Sequence, residues 1–130
     1  MTKPVMIEIA PGELIDKITI LRIKDERIAD PAKRANVLVE LRTLNEARAA
    51  AMPDDPEIAR LEDALKAVNE ALWQIEDDIR DCERAGDFGP RFIELARAVY
   101  QTNDRRADLK RAINLHLGSR LVEEKSYKPY

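Results

Sequence analysis

Residues 56–85 read PEIARLEDALKAVNEALWQIEDDIRDCERA, and this stretch decides the fold. Ile58, Leu61, Leu65, Val68, Leu72, Ile75, Ile79 and Cys82 recur at alternating steps of three and four, an unbroken heptad seam of the coiled-coil kind. Asp55 stands before Pro56 as an N-cap, and proline suits a first helical turn because its missing N–H needs no partner there. Gly86 supplies the stop. At 1.5 Å per residue, the helix is about 45 Å long.

Working outward, Phe92, Leu95, Val99, Leu109 and Ile113 predict a second long helix over 90–118, again opened by a proline. A loop of a few residues between two such helices makes an antiparallel hairpin. Phe88 is placed to staple onto Ile93. Residues 56–85 carry nine acids and four bases, whereas 90–120 carry seven bases and three acids, so the two helices suit each other electrostatically.

Pro11 and Pro31 open two more helices, at 11–29 and 31–51, the second capped by Asp30. Leu14, Ile15, Ile18, Ile20, Leu21, Ile23 and Ile28 make the first of these apolar around much of its girth, which implies a central helix or one shared between subunits. Val5, Ile7 and Ile9 alternate with other residues as in a short strand, and residues 120–130 lack helical period; these extended ends pair within one chain or between two. The expected architecture is all-α, one domain over 1–130.

Composition agrees. Ala, Glu, Lys, Leu and Arg fill half of the 130 positions, and four glycines with six aromatics argue against barrels, sandwiches and glycine-rich nucleotide folds. A net charge of −3 disfavours nucleic acid as partner. No apolar run approaches a membrane span, and one cysteine implies a reducing compartment, the cytoplasm.

Few constellations carry chemistry. Between Val99 and Leu109 the seam breaks into Tyr100-Gln-Thr-Asn-Asp-Arg-Arg-Ala-Asp108, with Thr102 and Arg106 where apolar side chains belong. In the hairpin register, Thr102 lies level with Trp73 and Arg106 with Asn69. One reading is a pocket for a small anion lined by Trp73, Tyr100, Asn103, Arg106, Lys110 and Asn114, with Lys17 and Lys24 opposite. The competing reading is a polar layer that fixes register or oligomeric state. Glu76, Asp77, Asp78, Asp81 and Glu83 read as a solvated face; without a nearby histidine they imply no metal. His116 suits a helix C-terminus and Cys82 a core position. No cofactor motif is present, and the balance tilts against an enzyme.

The segments IEIAPGELIDKITILRIKDERI, LWQIEDDIR and FIELARAVYQTNDRRADLKRAINLHLGSRLVEEKSYKPY together resemble a family of small bacterial proteins classified only as a domain of unknown function. GELIDKITILRIKDER is also similar to the opening helix of the all-helical chorismate mutases, which implies a helical pocket with arginines for a dicarboxylate. That family's central Asp-x-x-Arg-Glu motif has no counterpart in residues 31–55.

The leading expectation is an interaction or scaffold module, a homodimer joined through Ile20 and Ile23 or through Val122 and Tyr127 of the terminal segment, or the partner of another protein. The alternative is the anion pocket.

Overall fold

A computed structural model describes residues 2–130 and places them in four helices with no strand among the described residues: α1 (Pro11–Arg27), α2 (Pro31–Ala51), α3 (Pro56–Ala85) and α4 (Pro90–His116). The caps work as the sequence implies. Asp30 accepts from the Lys33 N–H at 3.1 Å, and Asp55 Oδ1 accepts from Glu57 and Ile58 at 2.8 and 3.3 Å. Gly86 ends α3 at a φ of 67°, a left-handed conformation that costs glycine little.

α3 and α4 form the antiparallel hairpin, and α1 lies along it. Gly12 meets Asn114, Asp16 meets Arg106, and Ile20 and Ile23 lie across a cleft from Val99 and Asn103, so α1 runs antiparallel to α4. Ile15, Ile58, Leu61, Leu65 and Ile113 form the shared core, with Met52, Leu109, Ala112 and Leu117 against it. The broad apolar girth of α1 therefore serves a central position. α2 packs on α1 alone and buries only Val37, with one ion pair, Arg48–Glu62, reaching α3.

Several expectations shift. Leu65 is fully buried, but Leu72, Ile75 and Ile79 are only half-buried. At 17 residues α1 spans about 25 Å of a hairpin about 45 Å long, so the hairpin tip has no third helix over it. Phe88 packs edge-on against Phe92, centroids 5.3 Å apart, and Ile93 stays exposed. Between α3 and α4 the one ion pair among the described residues is Arg91–Asp78 at 3.4 Å. Glu76 and Asp81 pair instead with Arg80 and Arg84 on their own helix, where the neighbour three or four residues away is closest. The alternating Val5–Ile9 segment finds no ladder partner; it is extended, with Val5 and Ile7 exposed, and touches the other end through Arg120–Glu8. No helix among the described residues is long and apolar enough to cross a membrane.

Candidate functional site

The centre of the polar layer is a residue the heptad pattern does not reveal. Asp16 on α1 is fully buried. Arg106 Nε donates to its Oδ1 at 2.9 Å and Arg106 Nη2 to its Oδ2 at 2.5 Å, a bidentate pair that joins α1 to α4. Asn69 Nδ2 on α3 donates to Asp16 Oδ1 and to Thr19 Oγ1, both at 2.9 Å, while the Thr19 hydroxyl donates to the Asp16 carbonyl at 2.8 Å. Four side chains from three helices thus satisfy one another. No buried side-chain polar atom among the described residues lacks a partner. Burial alone would raise the Asp16 pKa; the hydrogen bonds from Arg106 and Asn69 outweigh it and hold the carboxyl below its ordinary value. Arg106 is held more firmly protonated by the same pair.

One turn along α4 a second cluster forms. The Lys110 ammonium, on a side chain only 10% exposed, sits 2.7 Å from Glu13 Oε2 and 2.9 Å from Glu123 Oε2. Burial opposes its charge, and the two carboxylates more than restore it. Asn114 is turned to α1, where its Oδ1 accepts from the Gly12 N–H at 2.7 Å.

Beside the Asp16–Arg106 pair, on the side toward the hairpin tip, lies an open cleft of about 510 Å³ between α1, α3 and α4. Ile20, Ile23, Leu72 and Val99 form its apolar surface, with Trp73 on one wall. Asn69, Asn103 and Arg106 supply donors; Glu76, Asp77 and Arg80 lie farther along α3. The Arg27 guanidinium stands 5.8 Å from the Trp73 ring centroid. Arg106 gives Asp16 its Nε and one Nη, and the other Nη has no hydrogen-bond partner among the described residues. Its side chain is 30% exposed and lines the cleft, so a guanidinium fixed by Asp16 forms part of the cleft wall.

Of the residues expected to line a pocket, Trp73, Asn103 and Arg106 do so together. Lys110 and Asn114 lie in the packed α1–α4 seam instead. Lys17 turns to solvent beside Glu13 at 3.7 Å, Lys24 is half-buried away from the cleft, and Tyr100 packs against Tyr130 with the rings tilted by 59° and centroids 5.1 Å apart. Of the expected interface residues, Ile23 is 1% exposed and Ile20 half-buried, and both lie on the cleft wall. Val122 is half-buried and Tyr127 exposed. The described residues hold no group of three or more His, Cys, Asp or Glu arranged for a metal.

Comparison with known proteins agrees with the first resemblance above. The model of a family described as "Family of unknown function (DUF6165)" matches residues 5–130. No curated protein and no solved structure matches the chain.

Proposed function

The chain belongs to that family of unknown function, and from its own geometry we propose that the cleft between α1, α3 and α4 binds a small organic molecule with an acceptor group at Arg106 and an apolar or planar body against Trp73, Ile20, Leu72 and Val99. One observation carries the reading: a buried Asp16, itself bonded by Asn69, immobilises Arg106 while the Arg106 side chain lines the cleft. A guanidinium positioned before a ligand arrives spends little on ordering when it binds. The volume falls within the usual range for small-molecule sites, about 300–1,000 Å³. Carboxylate or phosphate is the acceptor that best matches guanidinium. Glu76 and Asp77 on the same wall disfavour a second anionic group, and with it the dicarboxylate that the first-helix resemblance implies.

Trp73 is the only tryptophan and lies in the cleft, so its fluorescence reports occupancy directly. Phenyl phosphate and phenylacetate are expected to change it saturably with Kd of about 1 mM or tighter, and benzyl alcohol to bind at least tenfold more weakly. Asn103→Leu removes one donor without touching Asp16 and should weaken both anions. Equal response to the alcohol and the anions would refute the role of Arg106.

A second reading, a homodimeric interaction module, is favoured by exposed apolar groups outside the cleft. Val5, Met6 and Ile7 are 87%, 87% and 75% exposed, and Val39 on α2 is 62% exposed. Size-exclusion chromatography with light scattering tests it: a dimeric mass should fall to monomeric in Ile7→Glu or Val39→Glu, with helicity retained. A wild-type mass that is already monomeric ends this reading. A single, buried cysteine, Cys82, supports a reducing compartment such as the cytoplasm for either reading.

A further inference from the structure

Beyond α4, the chain turns at Leu117–Gly118, where Gly118 has a φ of 63°, and runs back along the helix it has just left. Glu123 meets Lys110, Glu124 meets Arg111 at 3.0 Å, and Lys125 meets Asp104 at 2.5 Å. Tyr130 donates its hydroxyl to Asp104 at 2.7 Å and rests its ring against Tyr100. The last backbone–backbone hydrogen bond is from the Ser119 N–H to the Asn114 carbonyl at 2.9 Å, so beyond it side chains hold the segment. Only Leu121 and Val122 are half-buried; residues 123–130 are exposed. A segment without a ladder and with little apolar burial is ordered chiefly by its charges.

These charges are not equivalent. Arg111 and Glu124 are both well exposed, and exposed pairs do little. Lys110 differs, because its side chain is only 10% exposed and its ammonium is shared between Glu13 of α1 and Glu123 of the tail, the more exposed of the two carboxylates. Glu123 also lies within electrostatic range of Arg106. The outer side of Lys110 is thus a built anion position with a carboxylate from the chain's own tail seated in it.

We propose that residues 120–130 form a strap latched by Glu123 on Lys110, and that the latch opens when an external carboxylate or phosphate takes the place of Glu123. No strap residue lines the cleft, so this stands independently of the small-molecule reading.

Backbone ¹⁵N relaxation of the full chain tests it. In dilute buffer, order parameters over 121–130 should lie near about 0.8, and Glu123→Gln should lower them below about 0.6 with the helices unchanged. Glu124→Gln should leave them near the wild-type value. Sodium phosphate should loosen the wild-type strap at a concentration several-fold below that needed when sodium chloride supplies the same ionic strength. The proposal is overturned by a strap that stays ordered in Glu123→Gln, by equal loosening in Glu124→Gln, or by equal effects of the two salts.

Discussion

Replacing Arg106 with Met lowers stability by about 3–5 kcal/mol at neutral pH, the cost of leaving a buried carboxylate without its cation. Asp16 is fully buried, and Asn69 and Thr19 cannot neutralise it. Against a total of about 5–15 kcal/mol for an ordinary domain, that loss is large. Asp16→Leu combined with Arg106→Met should recover most of it, because two apolar side chains replace a pair whose desolvation offset much of its attraction. Asn69 keeps Thr19 as a partner in the double variant. Urea titrations of the two singles and the double form the cycle. A single Arg106→Met as stable as wild type would mean that the pair is not buried in solution.

The pH dependence changes sign between these proteins. In wild type the folded-state pKa of Asp16 is depressed, so its contribution is fully present above the unfolded value of about 3.9 and disappears as pH falls through the folded value. The stability gap between wild type and Asp16→Asn should therefore narrow below about pH 4. In Arg106→Met burial, the largest influence on Asp16, is opposed only by the Asn69 hydrogen bond and the more distant Lys110, so the pKa should rise. That variant should gain stability on acidification from neutral pH as Asp16 takes up a proton, opposite to the wild-type trend. The same loss makes an apolar replacement of Arg106 a poor probe of ligand binding, since it destabilises the fold along with removing the donor; Asn103→Leu separates the two.

The hairpin was legible because α3 and α4 carry their pairing in one repeating seam with prolines and glycine marking both ends. Arg106 stood out for the same reason, as a charge where that seam requires an apolar residue, and the hairpin register brought Trp73 and Asn69 toward it. Asp16 was hidden by its neighbours. Leu14, Ile15 and Ile18 surround it, and a helix apolar on nearly every side does not disclose which edge faces the hairpin. The signal lay in the stripe Asp16, Thr19, Ile20, Ile23, spaced three, one and three, where an acid and a hydroxyl share a face with two isoleucines. An acid on such a face needs a cation, and Arg106 was the one misplaced in the seam. Lys17 and Lys24 directly follow Asp16 and Ile23 of this stripe in sequence, but Lys17 stands at its edge, where a long side chain carries its ammonium to water. The tail's path depends on scattered ion pairs that leave no period at all.

Gly12→Ala should cost about 3 kcal/mol or more, although alanine is the better helix former by about 0.5–1 kcal/mol. A Cβ at this position would lie 2.4 Å from the Lys110 carbonyl oxygen and 2.8 Å from Asn114 Oδ1. The first is backbone of a packed helix and cannot rotate aside, so α1 must move off α4. Overpacking of this kind costs about 1–3 kcal/mol. Moving α1 also stretches the 2.7 Å bond from the Gly12 N–H to Asn114, whose side chain is buried and whose oxygen would lose its partner, a further penalty of about 1–3 kcal/mol. Gly86→Ala is the useful contrast: nothing stands within 4 Å of its added carbon, and only the left-handed φ is strained, about 1–2 kcal/mol. Removing the amide with Asn114→Ala should relieve little of the Gly12→Ala defect, because the Lys110 carbonyl remains. Gly12 lies one helical turn before Asp16, so the close approach it permits also brings the carboxylate within reach of Arg106. Urea midpoints for the two glycine variants decide the matter. If Gly12→Ala is no worse than Gly86→Ala, α1 does not seat this closely on α4, and the pairing that fixes Arg106 at the cleft loses its support.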